Sequence, residues 1–375
     1  MSRHDVAIYA PWSGLVYERR PWRTCGGGER QMMLLATRIS MEGIRVAHIV
    51  YPPGDPYVPE PASVTLVPRG GYAGSRRYGQ LLEAVSIWRG MRRADADVYV
   101  FRTGTPALGV GALFCRLYRR PLVFSSASDS DFGFERLAPH KLTRALYAFG
   151  VRSSTVVVVQ SRQQVDLAHR VFPRVKRVVQ IPSFAEMDDA STPLPADEGD
   201  AFLWSGRVVE YKQPLKYVEL ARAVPEARFW MLAVFDPGSV ELAAKLRAAA
   251  AQTPNLELLE PRPHREAMEL VQRAVAIVNT SRFEGMPNTF LEAWALGVPV
   301  LSLSFDADGI IDEHRLGIVA GGSWQRFLTA AREQWVARGE RDEVAERVKA
   351  YVRAMHGMPV VTRRWSELLE ELVRT

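Results

Sequence analysis

Apolar runs of strand length recur along this chain with helix-length segments between them, and that alternation limits its possible folds more than any other feature. In the first half the runs are Val6–Ala10, Arg45–Tyr51, Ser63–Val67, Val98–Phe101, Leu122–Ser125, Thr155–Gln160 and Arg177–Ile181. Helix-period patterns lie between several of them, at Arg30–Met41, Tyr78–Met91, Leu108–Tyr118 and Leu142–Val151. Near-continuous apolar strands alternating with helices mark a parallel sheet covered on both faces. The segment Pro182–Asp200 then breaks the pattern with six acids, no base and three prolines, and reads as an exposed linker.

Beyond the linker the alternation restarts. Strands are expected at Ala201–Ser205, Arg228–Ala233, Leu256–Leu259, Val275–Thr280, Pro299–Ser304 and Gly317–Val319. Helices are expected near Pro214–Ala223 and at Ser239–Ala251, His264–Arg273 and Asn288–Gly297, with a helical tail from Ser323 to Thr375. The 375 residues exceed what one core usually covers. The expectation is two doubly wound α/β units: a domain over residues 1–182, a linker over 183–200, a second domain over 201–355 and a terminal helix over 356–375. In such sheets ligands sit beyond the carboxyl ends of the strands.

Charge is divided unevenly. Residues 1–180 hold 26 Lys and Arg against 13 Asp and Glu, a balance of +13, and residues 181–375 hold 22 against 29, or −7, which together give the net +6. The basic half suits an anionic lipid surface, a phosphorylated acceptor or a nucleic acid. The stacked-aromatic motifs of common RNA modules are absent, which disfavours nucleic acid. Cys25 and Cys115 are the only cysteines, so neither a disulfide framework nor a cysteine metal site is expected. With no leader-like apolar segment and no spanning run, the expected location is the cytoplasm.

The stretch "SRFEGMPNTFLEAWALGVPVLS", Ser281 to Ser302, carries the most chemical information. Val275–Thr280 supplies a strand, Ser281–Met286 a loop, Pro287 suits a first helical turn, and Gly297 ends the helix. Glu284 thus lies in a loop and Glu292 more than a turn inside a helix, an arrangement unlike a hydrolase acid/base couple. Between them the amides of Met286, Asn288 and Thr289 form a helix N-terminus suited to an anion such as a diphosphate. Two carboxylates flanking an anion site fit a ligand with hydroxyls at both ends and phosphate in the middle, the layout of a nucleotide sugar.

"EGMPNTFLEAWALGVPV" resembles the Glu-x7-Glu signature of the family 4 glycosyltransferases, retaining enzymes of group 1 and GT-B type. "LWSGRVVEYKQP" is similar to that family's Gly-Arg-x4-Lys-x-Pro motif, here Gly206, Arg207, Lys212 and Pro214. The resemblance implies two facing Rossmann-like domains with a cleft between them and C-terminal helices crossing back. It also implies transfer of a sugar from a nucleoside-diphosphate sugar to an acceptor hydroxyl with no obligatory cofactor or metal. Glu284 would hold the transferred sugar, Arg207 and Lys212 the diphosphate, and Glu292 the ribose. Gly206, Gly285, Met286, Pro287, Asn288 and Thr289 would complete the donor site.

"TCGGGERQMM" is similar to the family's glycine-rich N-terminal loop, placing Gly27 and Gly28 near the donor diphosphate and acceptor; it is not the dinucleotide fingerprint. "LEPRPHRE" falls where the family's relatives hold the nucleobase largely through backbone groups, with Pro261 and Arg262 as candidates. "SSASDSDF" departs from the family by lacking a histidine that contacts the donor sugar, leaving Ser126 and Asp129 as acceptor-side candidates. His264 and His314 read as lone structural histidines without partners.

The expected partners are a nucleotide sugar and an acceptor glycan, free or lipid-linked, in surface polysaccharide or glycolipid assembly. Peripheral contact with an anionic membrane, at its inner face, is also expected. Two alternatives share parts of the pattern. A GT-B-like nucleotide-sugar epimerase would lack the Gly-Arg-x4-Lys motif, and a non-catalytic nucleotide-sugar or nucleic-acid-binding module would not turn over donor.

Overall fold

The computed structural model describes residues 3–18, 27–70, 79–102, 104–133, 140–186, 200–236, 238–340 and 342–374. Gly26, Cys25 and residues 187–199 of the expected linker lie outside them; the described start of that linker is buried rather than exposed, at Ser183, Phe184 and Ala185, because Gln31 bonds the Phe184 backbone and Phe184 joins the first core. The chain divides into two compact units, one of Met1–Phe184 with Met358–Thr375 and one of Ala185–Gly357.

In the first unit seven strands form one sheet: β1 His4–Tyr9, β2 Val46–Val50, β3 Val64–Pro68, β4 Ala96–Arg102, β5 Leu122–Ser125, β6 Val156–Val159 and β7 Val178–Gln180. The order is β3-β2-β1-β4-β5-β6-β7, with every pairing parallel. β2 and β6, "VAHIV" and "VVVV", are buried along their whole length, as strands covered on both faces must be. The helices are α1 Gly27–Met41, α2 Gly79–Ala94, α3 Ala107–Tyr118, α4 Lys141–Ser153 and α5 Arg162–Val171. A Cβ on Gly109 of α3 would stand 2.3 Å from the Leu146 carbonyl of α4, and one on Gly150 2.8 Å from Gly109 N. Glycine at both positions lets these helices approach backbone to backbone.

In the second unit six strands form the sheet: β8 Ala201–Val208, β9 Phe229–Phe235, β10 Leu256–Leu259, β11 Ala274–Asn279, β12 Val300–Ser302 and β13 Gly317–Val319. The order is β10-β9-β8-β11-β12-β13, again all parallel. Its helices are α6 Pro214–Ala223, α7 Val240–Ala251, α8 His264–Gln272, α9 Asn288–Ala295, α10 Ile310–Glu313, α11 Trp324–Val336 and α12 Asp342–Met355. Gly297 has φ of +80°, and a Cβ there would lie 2.8 Å from Lys349 Cε, so the residue that ends α9 also admits α12. The last helix, α13 Met358–Arg374, belongs to the first unit. Its Val361, Trp365, Leu368, Leu369 and Leu372 share a core with Val6, Ile8 and Leu35.

Of the element boundaries that differ from the sequence reading, two bear on the candidate site. α1 begins at Gly27, three residues before the expected start, because first-turn amides need no intrahelical acceptor and glycine costs less there than in a helix interior. β8 runs three residues past Ser205, because β9 pairs with it through Gly206↔Ala233, Arg207↔Val234 and Val208↔Phe235. Gly206 and Arg207 therefore lie on a strand, whereas the sequence pattern put them after it.

Candidate functional site

Strand order in the second unit reverses between β8 and β11: β9 and β10 extend to one side of β8, and β11, β12 and β13 to the other. Loops leaving neighbouring strands at such a reversal diverge and leave a crevice at their carboxyl ends. The Gly-Arg-x4-Lys segment leaves β8 and the Glu-x7-Glu segment leaves β11, so the topology brings both motifs to one place.

Local chemistry fixes them together. After β8 a 3-10 turn, Glu210–Lys212, leads into Gln213, whose left-handed backbone (φ 48°, ψ 51°) precedes Pro214 at the start of α6. Arg282 N donates to Tyr211 O at 2.9 Å, and the Tyr211 and Phe283 rings stack with centroids 4.7 Å apart. Trp204 Nε1 donates to Thr280 Oγ1 at 3.1 Å, and Thr280 Oγ1 donates to Lys212 O at 2.7 Å. With the Gln213 amide turned so that both its groups are satisfied, its nitrogen donates to Thr280 O at 3.0 Å and its oxygen accepts from Arg282 Nε at 3.3 Å.

This stitching sets Lys212 Nζ 2.5 Å from Glu284 Oε1, which also accepts from Ser281 Oγ at 2.7 Å. The Lys212 and Glu284 side chains are only 19% and 12% exposed, so the ion pair is held rather than solvated. Ser281 N donates in turn to Asn279 Oδ1 at 3.0 Å. Arg207 stands apart, 58% exposed, with Nη1 3.9 Å from Asp236 Oδ2. A Cβ on Gly206 would touch Lys212 Cδ at 3.4 Å, so the lysine stem lies along that glycine.

Past Glu284, Gly285 and Met286 complete the loop, and Pro287 stands at the N-cap of α9, where its own side chain makes no capping bond. The first-turn amides, those of Asn288 and Thr289, have no carbonyl within the helix to bond, the feature by which helix N-termini in general attract anions. Glu292 lies on the second turn, its Oε1 4.0 Å from His264 Nδ1, and His264 Nε2 is 3.7 Å from Glu186 Oε2. The expectation that His264 and His314 lack partners is corrected. His264, first residue of α8, lies between two carboxylates, and His314 Nε2 is 3.9 Å from Glu313 with its ring 4.8 Å from that of Tyr351. Arg262 is exposed on the β10–α8 loop, two residues before His264.

In the first unit the strand order reverses between β1 and β4. Gly27 and Gly28 start α1, and a Cβ on Gly28 would meet nothing within 4 Å, so no internal packing demands glycine there. Arg102 ends β4, buried, with Nη1 donating to Ser125 Oγ at 2.9 Å and Ser126 O at 2.8 Å. Burial pushes its pKa down to about 10. Ser126 is buried, its hydroxyl 3.1 Å from Asp131 Oδ2 and 3.2 Å from Ser128 O. Asp131 also accepts from the amides of Ala127 and Ser128, and burial raises its pKa despite those bonds. Asp129 Oδ1 accepts from Gln164 Nε2 at 3.1 Å. Sequence reasoning passed over Arg102; a charged residue closing the otherwise apolar run "ADVYVFR" was the available signal.

Among the described residues no cluster of three or more His, Cys, Asp or Glu is placed to hold a metal ion, and no helix is long and apolar enough to cross a membrane.

Residues 26–183 match the family profile described as a glycosyl transferase 4-like domain, and residues 199–335 match that of the glycosyl transferases group 1. The fold is similar to that of sucrose-phosphate synthase from Thermosynechococcus elongatus, with a TM-score of 0.81 at 15% identity over 99% of both chains. Anabaena HepE, solved in complex with UDP and glucose, gives 0.69 at 14% identity over 98% of this chain and 100% of that one. WaaG, a glycosyltransferase involved in lipopolysaccharide biosynthesis, gives 0.68 at 16% identity over 97% and 99%. At these identities the likeness is one of fold.

Proposed function

Because this chain belongs to the group 1 glycosyltransferases of GT-B fold, we propose that it is a retaining hexosyltransferase acting on a nucleoside-diphosphate sugar and the hydroxyl of a lipid-linked glycan. The single observation that carries the reading is the meeting of Lys212 and Glu284 at the β8–β11 reversal, with the N-terminus of α9 following directly in sequence.

In this reading the donor diphosphate takes the α9 amides of Asn288 and Thr289, with Lys212 and the exposed Arg207 as its cations. Gly206, Gly285, Met286 and Pro287 shape the approach. Glu284, oriented by Lys212 and Ser281, accepts hydrogen bonds from the hydroxyls of the transferred sugar. Glu292 takes the ribose, and the loop of Arg262 lies toward the base. Gly27 and Gly28 offer close-approaching backbone at the N-terminus of α1 to a phosphate or the acceptor. Asp129, on the loop held by Ser126 and Asp131, lies on the acceptor side.

The acceptor oxygen attacks the anomeric carbon from the face the leaving group departs, through an oxocarbenium-like centre. The bond to the diphosphate oxygen breaks, and that oxygen receives the acceptor proton. Charge growing on the leaving group is what Lys212 and Arg207 stabilise, so no enzyme base is required. The +13 balance of residues 1–180 supports an acceptor carried on a lipid diphosphate at the inner face of an anionic membrane, in surface polysaccharide or glycolipid assembly. HepE in complex with UDP and glucose supports a nucleotide-sugar donor by analogy.

The test is incubation with UDP-, GDP-, ADP- and dTDP-sugars and a lipid-diphosphate-linked acceptor, following nucleoside-diphosphate release and the product anomer by NMR. An α-donor giving an α-linked product is expected. A β-linked product would overturn retention, and epimer formed without acceptor would favour the epimerase.

A further inference from the structure

We propose that the face of the first unit formed by α2, α3 and α4 docks peripherally on an anionic lipid bilayer. These helices are neighbours in the fold, with α3 against both α2 and α4. Their inward sides cover the sheet through a core that includes Ile87, Met91, Leu108, Phe114, Tyr147 and Val151. Their outward sides carry Leu81, Leu82 and Val85 on α2, Leu113 and Leu117 on α3, and Leu142 on α4. Leu117 is 66% exposed and Leu142 77%. Together with Tyr118 these make seven of the fourteen exposed large apolar side chains among the described residues, gathered on three helices. Such a concentration marks an interaction surface.

The charge on the same helices has one sign. Their sequences hold seven Lys and Arg against a single acid, Glu83, which pairs at 2.6 Å with the buried Arg69. Arg89, Arg93, Arg116, Lys141 and Arg152 are exposed. Arg92, also exposed, donates to Tyr118 Oη at 2.8 Å and ties the α2 and α3 surfaces together. Exposed leucines interleaved with arginines are what a helix face needs to enter the boundary between headgroups and acyl chains of an anionic leaflet.

Other occupants fit less well. Six of the seven apolar side chains are aliphatic and offer no platform for stacking bases, which a single-stranded nucleic acid requires. A second copy meeting this face through a two-fold axis would oppose one basic surface with another. The inference deepens the lipid-borne acceptor of the proposed function and rests on that reading for its purpose, while the binding itself is measurable without acceptor or donor.

The experiment is co-sedimentation of the full chain with phosphatidylcholine vesicles with and without phosphatidylglycerol, at low and high salt. Light scattering of the protein alone runs beside it. Wild-type protein is expected to bind only the anionic vesicles and to be released by salt. Leu81→Ser/Leu117→Ser/Leu142→Ser and, separately, Arg89→Glu/Arg116→Glu should each lower partitioning at least about tenfold while melting like wild type. Lys245→Glu/Arg364→Glu, the same charge change placed elsewhere on exposed positions, should bind as wild type. Absence of anionic binding by the wild-type chain, binding by either surface variant as strong as wild type, or a dimer dissolved by them would overturn the proposal. Vesicle binding with no donor turnover would overturn the glycosyl-transfer reading and leave the surface standing; a wild-type chain that binds no anionic vesicles yet transfers to acceptor in detergent would do the reverse.

Discussion

Lys212 and Glu284 are 72 residues apart in the chain and 2.5 Å apart in the fold, because the strands they follow are neighbours where the second sheet reverses its order. Each is oriented by groups from the other's loop: Thr280 holds the Lys212 carbonyl, and Tyr211 holds both the Arg282 amide and the Phe283 ring. The proposed donor site is therefore one construction. Disturbing either loop should be felt at both charges.

Lys212→Ala and Glu284→Ala should each lower transfer about 10²–10³-fold, the usual cost of removing one preorganised electrostatic contact to a transition state. The double variant should be much less impaired than the product of the singles, because each single variant already disorders the partner. Steady-state rates for the four proteins check this, and strictly multiplicative losses would show that the two act independently.

Thr280→Val keeps the side-chain volume and removes the acceptor for Trp204 Nε1 and the donor to the Lys212 carbonyl. Leaving a buried indole N–H unsatisfied costs about 1–3 kcal/mol. Urea unfolding should show that loss, and kcat should fall while both charged residues remain in place.

Gly28→Ala isolates a ligand effect from a folding effect. Its Cβ would meet nothing within 4 Å, so the melting temperature should hold or rise slightly. If backbone at the start of α1 is approached by a phosphate or the acceptor, KM for that ligand should rise. An unchanged KM for both donor and acceptor would remove Gly28 from the site.

His48 sits wholly buried on β2, hydrogen-bonded through Nδ1 to Tyr17 Oη at 2.9 Å, and burial pushes its pKa down to about 3. As pH falls below about 6.5 the unfolded chain takes up this proton before the folded one does, so stability present above 6.5 is lost on the way toward 3. The slope approaches about 1.4 kcal/mol per pH unit. Urea midpoints for wild type and His48→Gln should therefore converge as pH falls from about 7 to about 5; parallel curves would show that His48 does not titrate in this way.

The fold was readable because parallel strands covered on both faces announce themselves as unbroken apolar runs, as "VVVV" of β6 and "AVAIVN" of β11 do. Boundaries were less legible where pairing, not composition, decides them: Gly206 and Arg207 stay extended only because β9 is long enough to pair with them. Two segments of the site stood out because each is a local pattern of glycine, proline and charge. The contacts that hold them together, Trp204 with Thr280 and Tyr211 with Phe283, join residues that no local spacing connects, as does the placing of His264 between Glu186 and Glu292.

The central claim is that the β8–β11 reversal and α9 bind a nucleoside-diphosphate sugar. Calorimetric titration of the wild-type chain with UDP-, GDP-, ADP- and dTDP-sugars, repeated on Lys212→Ala and Glu292→Ala, tests it most directly. One base should bind, and at about 100 times its Kd it should stabilise the fold by about 2.7 kcal/mol, with affinity falling about tenfold or more in both variants. Binding of no nucleotide sugar, or equal affinity in all three proteins, would contradict the account.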